Sequence, residues 1–392
     1  MKYIFVLTAA AILTTAAISQ TRYDLRMQVD SVQREFILSV PSGTPPAGGY
    51  PIVFVFHGTS QDGEKFYNDS QWKEKGEAEK ILTVFPTALK YCVIEDGNQH
   101  ITTKWHTGAV EDMVCPGQYL KDDFHFVNAM IDSLKGRFPV NARRMYATGF
   151  SNGASFTSKL AVQMSQTFAA VAMCGGLLDD KDSTQPVRNM PAWFVLGTRD
   201  DKWLQNVTAF TEFPFNDTTL MYLSRTINRF LTCENLTPQF TKTEQGRYLN
   251  YLFKTPASPE PSYEFHFTLV DDMYHVYPDG SAGLIVAANI FWPFFNQYQL
   301  PVKVERTDPV PDRISVYPNP ASEYIAVDGI GEMDIAMYST LGQKVFDAHA
   351  EAGTRIQLPK LTHGLYFARI RSGNQSFFRS ISIQSSSTIM QR

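Results

Sequence analysis

The sequence predicts an α/β protein, with a doubly wound, mostly parallel sheet followed by a small C-terminal β-sandwich. Up to Leu300, continuous apolar runs alternate with segments of helical periodicity, as expected for strands that are buried on both faces and connected by helices. From Ile314 onward, short alternating segments are separated by turn residues, which is typical of a β-sandwich. The length of 392 residues allows two or three domains.

The first half of the predicted sheet contains four strands and one helix. Arg34–Val40 alternates in polarity and predicts an early antiparallel strand. Ile52–His57 and Ile81–Pro86 are continuous apolar runs that predict strands buried on both faces. Asp123–Phe138 places its apolar residues on one helical face, and Arg144–Phe150 predicts the next strand.

The second half continues the alternation of strands and helices. Phe168–Met173 and Ala192–Leu196 predict two buried strands separated by a polar loop. Thr218–Leu231 predicts a helix, and Tyr263–Val270 predicts the last strand. Ala282–Tyr298 then predicts a closing amphipathic helix. In such sheets the active site lies at the C-terminal ends of the strands.

Residues 1–19 have the features of a signal peptide. Lys2 supplies a positive charge, Tyr3–Ile18 is apolar, and Ala17–Ser19 offers small residues for cleavage before Gln20. A retained membrane anchor is the alternative, which the threonines and the short length of this segment disfavour. No later segment is long and apolar enough to span a bilayer, so we expect no membrane span after cleavage.

Changes in composition divide the rest of the chain into three parts. Residues 20–300 form the predicted α/β domain. Residues 301–313 contain prolines among charged residues and predict a linker. Residues 314–392 form the predicted β domain, whose strand-like segments are ISVYPNP, YIAVDG, IAMYST, KVFDAH, TRIQLP, LYFARIRSG and SFFRSISI.

Charge and cysteine content limit the classes of partner. The formal net charge is −4 with both signs interspersed, so no basic surface for nucleic acid is expected. Cys92, Cys115, Cys174 and Cys233 allow three disulfide connectivities, of which we favour Cys92 with Cys115 because they bracket a loop. Cys174 falls in a predicted buried strand and suits a small core residue. No zinc spacing or phosphate-binding glycine loop occurs, so neither a metal nor a cofactor is expected.

A serine bracketed by glycines stands between the fourth predicted strand and a helix. Gly149-Phe150-Ser151-Asn152-Gly153 follows the strand, and helical periodicity resumes at Ala154. This strand–turn–helix arrangement is a nucleophile elbow, in which small neighbours let strand and helix approach closely. The helix N-terminus directs free N–H groups towards charge that develops during acyl transfer.

Such a serine needs a base, and the base needs an acid, in the chain order Ser, Asp, His. Asp200 lies in the loop after Ala192–Leu196, and His275 lies in the loop after Tyr263–Val270. We therefore predict the triad Ser151, His275 and Asp200, with Asp201 as the rival acid. For the oxyanion hole we predict the backbone amides of Thr59 and Asn152. Gly58 lets the loop after Ile52–His57 turn towards the pocket, and Asn152 directly follows the nucleophile.

Other polar residues have structural explanations. His57 is expected to shape the oxyanion loop, His125 to lie on a helix surface, and His266 to pack within a strand; His106 is a further rival base. Asp122 and Asp123 precede a helix, where acids cap N–H groups and complement the helix dipole. Trp105 and His106 lie in an irregular stretch between Cys92 and Cys115, which either lines the substrate cleft or is only a stapled excursion.

Four stretches of the chain resemble a known enzyme family. FVFHGTSQDG, DDFHFVNAMIDSLKGRFPVNARRMYATGFSNGASFTSKLA, VLGTRDD and HVYPDG are similar to the secreted α/β-hydrolase esterases grouped with poly(3-hydroxybutyrate) depolymerases, feruloyl esterases and acetylxylan esterases. The similarity covers roughly residues 30–298. It implies that Asp200 is the family's acid and His275 its histidine. Leu196, Tyr277 and Thr59-Ser60 depart from the family's pattern and leave the substrate preference open.

The C-terminal segments resemble a second family. ISVYPNPASEYIAV, YSTLGQKVF, LPKLTHGLYFARIRSG and SFFRSISI are similar to the sorting domain of the type IX secretion system of Gram-negative bacteria. The resemblance implies export through the periplasm, with the secretion machinery as a partner. The polar tail Gln384–Arg392 runs past the usual end of that domain. Without the resemblance, the pattern indicates only a small β-sandwich, which could equally be a carbohydrate-binding module.

These observations predict a secreted or cell-surface serine carboxylic-ester hydrolase that works through an acyl-enzyme. The expected substrate is a polymeric or oligomeric ester: feruloyl or acetyl groups on plant polysaccharide, or polyhydroxybutyrate. The alternatives are a serine peptidase of the same fold and a non-catalytic surface binding protein with a degenerate hydrolase domain.

Overall fold

The computed structural model describes residues 20–204, 213, 221–254, 263–301, 314–329, 331–372 and 375–384. The predicted signal peptide, residues 302–313 of the predicted linker, the first three residues of the helix predicted at Thr218, and residues 385–392 lie outside the described residues. The chain divides into two compact units, with the boundary between Val302 and Lys303.

The first unit is built on one large sheet with helices against both faces. In chain order, its elements are β1 (Thr21–Val29), β2 (Val32–Val40), β3 (Tyr50–Phe56), α1 (Gly63–Asp69), α2 (Trp72–Glu79), β4 (Leu82–Pro86), β5 (Lys90–Glu95), β6 (Asn98–Thr103), α3 (Gly108–Glu111), α4 (Asp123–Arg137), β7 (Val140–Phe150), α5 (Asn152–Gln163), β8 (Ala170–Cys174), β9 (Ala192–Gly197), α6 (Met221–Cys233), β10 (Phe240–Gln245), β11 (Tyr248–Lys254), β12 (Glu264–Val270) and α7 (Ala287–Phe295).

The ten strands of this sheet are ordered β1-β2-β4-β3-β7-β8-β9-β12-β11-β10. The six strands from β4 to β12 are mutually parallel, and the strands at both edges are antiparallel. One face packs against α4, α5 and α6, and the other against α1, α2 and α7. The predicted doubly wound, mostly parallel α/β fold is confirmed.

Some elements of this unit were not predicted. The edge strands β1 and β10, the neighbouring strand β11, and the separate hairpin of β5 and β6 were missed. The closing helix begins at Ala287 rather than at Ala282, because Ala282 has a left-handed φ of 50° inside a short 3₁₀ turn. Each helix within the described residues is too short or too polar to traverse a lipid bilayer.

The favoured disulfide is present. Cys92 of β5 is bonded to Cys115, 23 residues further along the chain. Cys174 and Cys233 are buried free thiols, so the expectation for Cys174 as a small core residue is also confirmed. The bond closes a loop that contains the β5–β6 hairpin, the stretch around Trp105, and α3.

The second unit contains the seven strands that its sequence pattern indicated. They are β13 (Ser315–Tyr317), β14 (Tyr324–Asp328), β15 (Glu332–Ser339), β16 (Lys344–Glu351), β17 (Arg355–Gln357), β18 (Gly364–Ser372) and β19 (Gln375–Ile383). They form a three-stranded sheet, β13-β14-β17, and a four-stranded sheet, β16-β15-β18-β19. The sheets share a buried apolar core that includes Ile325, Met333 and Ile370, which confirms the predicted β-sandwich.

Candidate active site

Ser151 occupies a sharp turn between β7 and α5. Its φ of 52° and ψ of −122° are a strained conformation for a residue with a side chain. A Cβ at Gly149 would lie 2.3 Å from the carbonyl oxygen of Gly153, and one at Gly153 would lie 2.3 Å from that of His57. Both bracketing positions therefore require glycine. The Ser151 amide donates to the Cys174 carbonyl at 2.8 Å, which ties the turn to β8.

The side chains of Ser151, His275 and Asp200 form a continuous hydrogen-bonded series. His275 Nε2 lies 2.9 Å from Ser151 Oγ, and His275 Nδ1 lies 2.8 Å from Asp200 Oδ2. Asp200 is 1% exposed, and its other oxygen accepts the amides of Lys202 and Trp203 at 3.0 and 3.3 Å. The rival residue Asp201 is exposed and follows this carboxylate in the turn.

The imidazole of His275 is held from two further sides. The ring of Phe150 packs against it with 4.9 Å between centroids, and Gly175 leaves space for it on another side. Tyr277 packs against Phe150 and accepts a hydrogen bond from Trp72 Nε1 at 2.9 Å. Burial raises the pKa of Tyr277 well above its ordinary value, so its hydroxyl stays neutral beside the triad.

The loop after β3 is held by a buried, neutral His57. Its Nδ1–H donates to the Gly58 carbonyl at 2.7 Å, and its Nε2 accepts the Ala88 amide at 3.0 Å. Burial lowers the pKa of His57 to about 4, which keeps the ring neutral, and the Ala88 amide selects the tautomer that is protonated on Nδ1. Within the described part of the chain, the amides of Thr59 and Asn152 have no hydrogen-bond acceptor, so both are available to an oxyanion.

The other histidines considered as bases lie outside this series. His106 contacts Lys121 and Glu111, and His125 is exposed beside Asp30. His266 stacks on Trp193 and contacts Glu264.

Both adjacent acids at the start of α4 have structural roles, as expected, but only one of them caps the helix. Asp122 caps the helix by accepting the Phe124 amide. Asp123 does not cap. It is buried, pairs with Arg34 at 2.7 Å, and accepts the His106 amide at 2.7 Å. Burial of a carboxylate is costly unless a cation and hydrogen-bond donors compensate its charge, and Arg34 and the His106 amide provide this compensation.

Two side chains near the elbow form contacts that the sequence did not predict. Trp105 is fully buried beside the oxyanion loop, and the Asn152 side chain is hydrogen-bonded to the Trp105 backbone. No sequence signal distinguished them beyond the position of Asn152 in the elbow and of Trp105 in the stretch closed by the disulfide.

A cleft of about 240 Å³ opens beside His275. Phe66, Phe150 and Tyr277 supply apolar wall, and the remaining lining is mainly polar. The polar residues are Gln61, Lys65, Asp69, Ser70, Asp279 and Ser281. Lys65 donates to Asp69 at 2.6 Å, and this bond raises the pKa of Lys65. Among the described residues, no three His, Cys, Asp or Glu side chains are grouped as a metal site would require.

Two family models match the chain. The model described as "Putative esterase" matches residues 31–266, and the model described as "Secretion system C-terminal sorting domain" matches residues 315–384. The second match confirms the sorting-domain resemblance and indicates export by the type IX system of Gram-negative bacteria.

Similar proteins include several named esterases. The chain is 30% identical over 177 residues to a poly(3-hydroxyoctanoate) depolymerase of Pseudomonas fluorescens, covering 43% of this chain and 63% of that protein. It is 25% identical over 168 residues to the bifunctional acetylxylan esterase/xylanase XynS20E of Neocallimastix patriciarum, covering 43% and 22%. The chain thus spans less than two-thirds of the length of either relative. A solved acetyl xylan esterase from Aspergillus awamori superposes with a TM-score of 0.47 at 12% identity, covering 70% of this chain and 99% of that one.

Proposed function

Because the chain belongs to the esterase family whose model matches residues 31–266, we propose that it is a secreted serine carboxylic-ester hydrolase that acts through an acyl-enzyme. The observation that supports this most directly is the hydrogen-bonded series from Ser151 through His275 to Asp200. Activation of a serine hydroxyl requires a base at this distance and an acid that fixes the tautomer of the base.

The first half-reaction forms the acyl-enzyme. Ser151 Oγ attacks the ester carbonyl carbon while His275 Nε2 takes its proton. Asp200 accepts the hydrogen bond from His275 Nδ1–H and stabilises the imidazolium. The carbonyl oxygen becomes negative and accepts hydrogen bonds from the amides of Thr59 and Asn152. The carbon–oxygen bond to the alcohol then breaks, and His275 returns the proton to the departing oxygen.

The second half-reaction releases the acid. Water takes the place of the alcohol, gives a proton to His275, and attacks the acyl carbon. The new tetrahedral intermediate uses the same two amides. Its collapse frees the carboxylic acid, and His275 returns the proton to Ser151 Oγ, which restores the starting state.

The cleft beside His275 favours an alcohol that carries hydroxyl groups. His275 protonates the leaving oxygen, so the alcohol must lie on the His275 side of the serine. There the cleft presents the Gln61 amide, the ion pair of Lys65 and Asp69, the Asp279 carboxylate and the Ser281 hydroxyl. A sugar would pair with these groups, whereas an aliphatic polyester segment would desolvate them without compensation. We therefore assign acetyl or feruloyl esters of polysaccharide as the substrate class.

A polyhydroxyalkanoate is the second candidate substrate. The 30% identity to a poly(3-hydroxyoctanoate) depolymerase favours it. Release of acid from acetylxylan, feruloylated arabinoxylan and hydroxybutyrate oligomers, compared as kcat/KM, separates the two. Faster cleavage of the hydroxybutyrate oligomers would assign the enzyme to polyesters instead.

The triad is tested with p-nitrophenyl acetate and the purified full chain. Ser151→Ala should reduce hydrolysis to the background rate, and Asp200→Asn should lower kcat by about 10⁴-fold. Asp201→Asn is the matched control, since it removes the adjacent exposed carboxylate, and it should stay within about twofold of the wild type. Full activity in Ser151→Ala, or an equal loss in Asp201→Asn, would contradict the assignment. A p-nitroanilide substrate tests the peptidase alternative in the same assay.

A further inference from the structure

Trp105 connects the two segments that supply the proposed oxyanion donors. It is fully buried, and its ring packs edge-on against Phe56 and stacks on Phe156, with centroids 5.1 and 5.4 Å apart. Phe56 ends β3 just before the oxyanion loop, and Phe156 belongs to α5, which begins after the nucleophile. The indole therefore lies between the two parts of the chain whose relative position the oxyanion hole depends on.

The Trp105 backbone is attached to the elbow by two hydrogen bonds. Its N–H donates to Asn152 Oδ1 at 2.7 Å, and its carbonyl accepts from Asn152 Nδ2 at 3.2 Å. This pair of bonds uses both polar groups of the Asn152 side chain. The residue that carries one proposed oxyanion donor on its backbone is thus fixed by its side chain to Trp105.

The Trp105 indole is attached to the other segment. Its Nε1–H donates to the His57 carbonyl at 2.9 Å. The same histidine is held from its ring side by the Ala88 amide. Thr59, whose amide is the second proposed donor, follows two residues later. A rigid path of hydrogen bonds therefore runs from Asn152 through Trp105 to the loop of Thr59.

The segment around Trp105 is itself anchored by two buried ion pairs. The His106 amide donates to Asp123, which pairs with Arg34, and the His106 carbonyl accepts from Lys159 at 3.2 Å. Lys159 pairs with Asp182 at 3.0 Å, and the second oxygen of Asp182 accepts the Gly108 amide at 2.8 Å. Trp105 is thereby fixed before any substrate binds.

We propose that Trp105 is a positioning residue that sets the separation and direction of the Thr59 and Asn152 amides through its indole N–H and its backbone. This inference rests on the proposed function. Oxyanion donors act only when both reach the developing charge at about 2.7–3.1 Å, and here they come from segments 93 positions apart. The contribution of Trp105 appears in the transition state and not in substrate binding.

Trp105→Phe tests the proposal because it keeps an aromatic ring and removes the N–H. With p-nitrophenyl acetate, kcat per titrated active site should fall by about 10-fold with KM within twofold, a smaller loss than that of a missing oxyanion donor. The affinity for a trifluoromethyl ketone, whose adduct with Ser151 places an oxyanion in the hole, should fall by the same factor.

Trp193→Phe is the matched control. Trp193 also donates an indole hydrogen bond of 2.9 Å, to Thr268 Oγ1, on the sheet face that packs against α7. It should leave kcat and the ketone affinity within about twofold. Loss of thermal stability alone, with unchanged kcat per active site, would reduce Trp105 to a core residue and overturn the proposal. An equal fall in kcat for Trp193→Phe would do the same.

A second variant gives an answer if Trp105→Phe does not fold. Asn152→Ala keeps the backbone amide of residue 152 but removes both bonds to Trp105, so kcat and ketone affinity should again fall together. In the double variant the two losses should be less than multiplicative, because both variants break the same path. An Asn152→Ala enzyme with wild-type kcat contradicts the proposal. Failure of the proposed function itself would be seen separately, as hydrolysis that survives Ser151→Ala.

Discussion

Gly175 shows how a single hydrogen atom in place of a side chain keeps the proposed base in position. Its φ is +64°, and a Cβ there would lie 3.1 Å from His275 Cε1 and 3.2 Å from Nδ1. Gly175→Ala should displace the imidazole from Asp200 by a few tenths of an ångström and lower kcat by about 10-fold, less than a misplacement of about 1 Å would cost. Steady-state kinetics with active-site titration measures this.

Gly246→Ala is the control for Gly175→Ala, because it introduces similar backbone strain without a contact to His275. Its φ of +58° is similar, but nothing lies within 4 Å of a Cβ at that position in the β10–β11 turn. Both variants should lose about 1–3 kcal/mol of stability from the left-handed backbone. Only Gly175→Ala should lose kcat; equal kcat in the two variants would refute the role of the Gly175 contact.

Glu234 should give the first unit a pH-dependent stability. Burial raises its pKa to about 8, although the Met190 amide and Arg188 both act to lower it. The unfolded chain releases this proton near pH 4.5, whereas the folded chain keeps it to about pH 8. The folded state therefore binds more protons in this window, and stability falls as the pH rises, by up to about 1.4 kcal/mol per unit.

Glu234→Gln removes this titration. Urea unfolding at pH 5, 6, 7 and 8 should show the variant gaining stability relative to the wild type as the pH rises. Arg188 and Cys233 are the nearby titratable groups, and both remain in the variant. A constant difference between variant and wild type across this range would show that Glu234 is ionised in the folded state.

Individual residues of the candidate site differ in how far the sequence identified them. The chain order of Ser151, Asp200 and His275 in loops after predicted strands was enough to select them, and the structure brings their side chains within hydrogen-bond distance. Their catalytic roles stay a prediction. For Trp105 the sequence left open whether its stretch lines the cleft or is a stapled excursion, because its proposed positioning role depends on hydrogen bonds to a backbone carbonyl and to Asn152 that no residue pattern encodes.

At the scale of elements, burial decided what the sequence could predict. The parallel strands β3 and β9, and the last six residues of β7, are buried on both faces, and the sequences of β3 and β9 are almost entirely apolar. The edge strand β10 (FTKTEQ) is almost wholly exposed and has no clear apolar period. The edge strand β1 (TRYDLRMQV) was missed although it alternates between apolar and polar residues from Tyr23 to Val29, as a strand does. The start of α7 was misplaced because the left-handed turn at Ala282 has no strong sequence signal.

We expect the disulfide between Cys92 and Cys115 to stabilise the folded first unit without changing its rate of catalysis. Replacing Cys92 and Cys115 together by serine should lower the free energy of unfolding by about 3 kcal/mol, because the unfolded chain regains the conformational entropy that closing a loop of this length removes. Since Trp105 and His106 are anchored by Asn152, Asp123 and Lys159, kcat per active site should not change. Urea unfolding and p-nitrophenyl acetate hydrolysis measure the two effects.

Reductant provides the control for this pair. In dithiothreitol, the wild type should lose as much stability as the double serine variant loses without it. The variant itself should be unaffected by the reductant, because its remaining cysteines, Cys174 and Cys233, are free thiols. A kcat that falls with the disulfide would mean that the loop closure, and not the ion pairs, holds the Trp105 segment.

For the whole first unit, parallel topology explains how distant residues meet. Ser151, Asp200 and His275 follow β7, β9 and β12, which run in the same direction in one sheet. Their C-terminal ends therefore meet at one edge, whatever the number of residues between them. This geometry is why a prediction of parallel strands, and of the loops that follow them, could bring together three residues spread over more than a hundred positions.

The two units have separate cores, and we expect their functions to separate in the same way. All proposed catalytic residues lie between His57 and His275, whereas the match to the secretion sorting family covers residues 315–384. A chain that ends at Pro301 should hydrolyse p-nitrophenyl acetate with a kcat/KM within about twofold of the full chain. In a bacterium with a type IX system, it should stay in the periplasm.

Ile370→Asp, which buries a charge in the core of the second unit, should likewise block export and leave the hydrolysis by periplasmic extracts intact. Export of the shortened chain, or its loss of activity after purification, would show that the two units do not act independently.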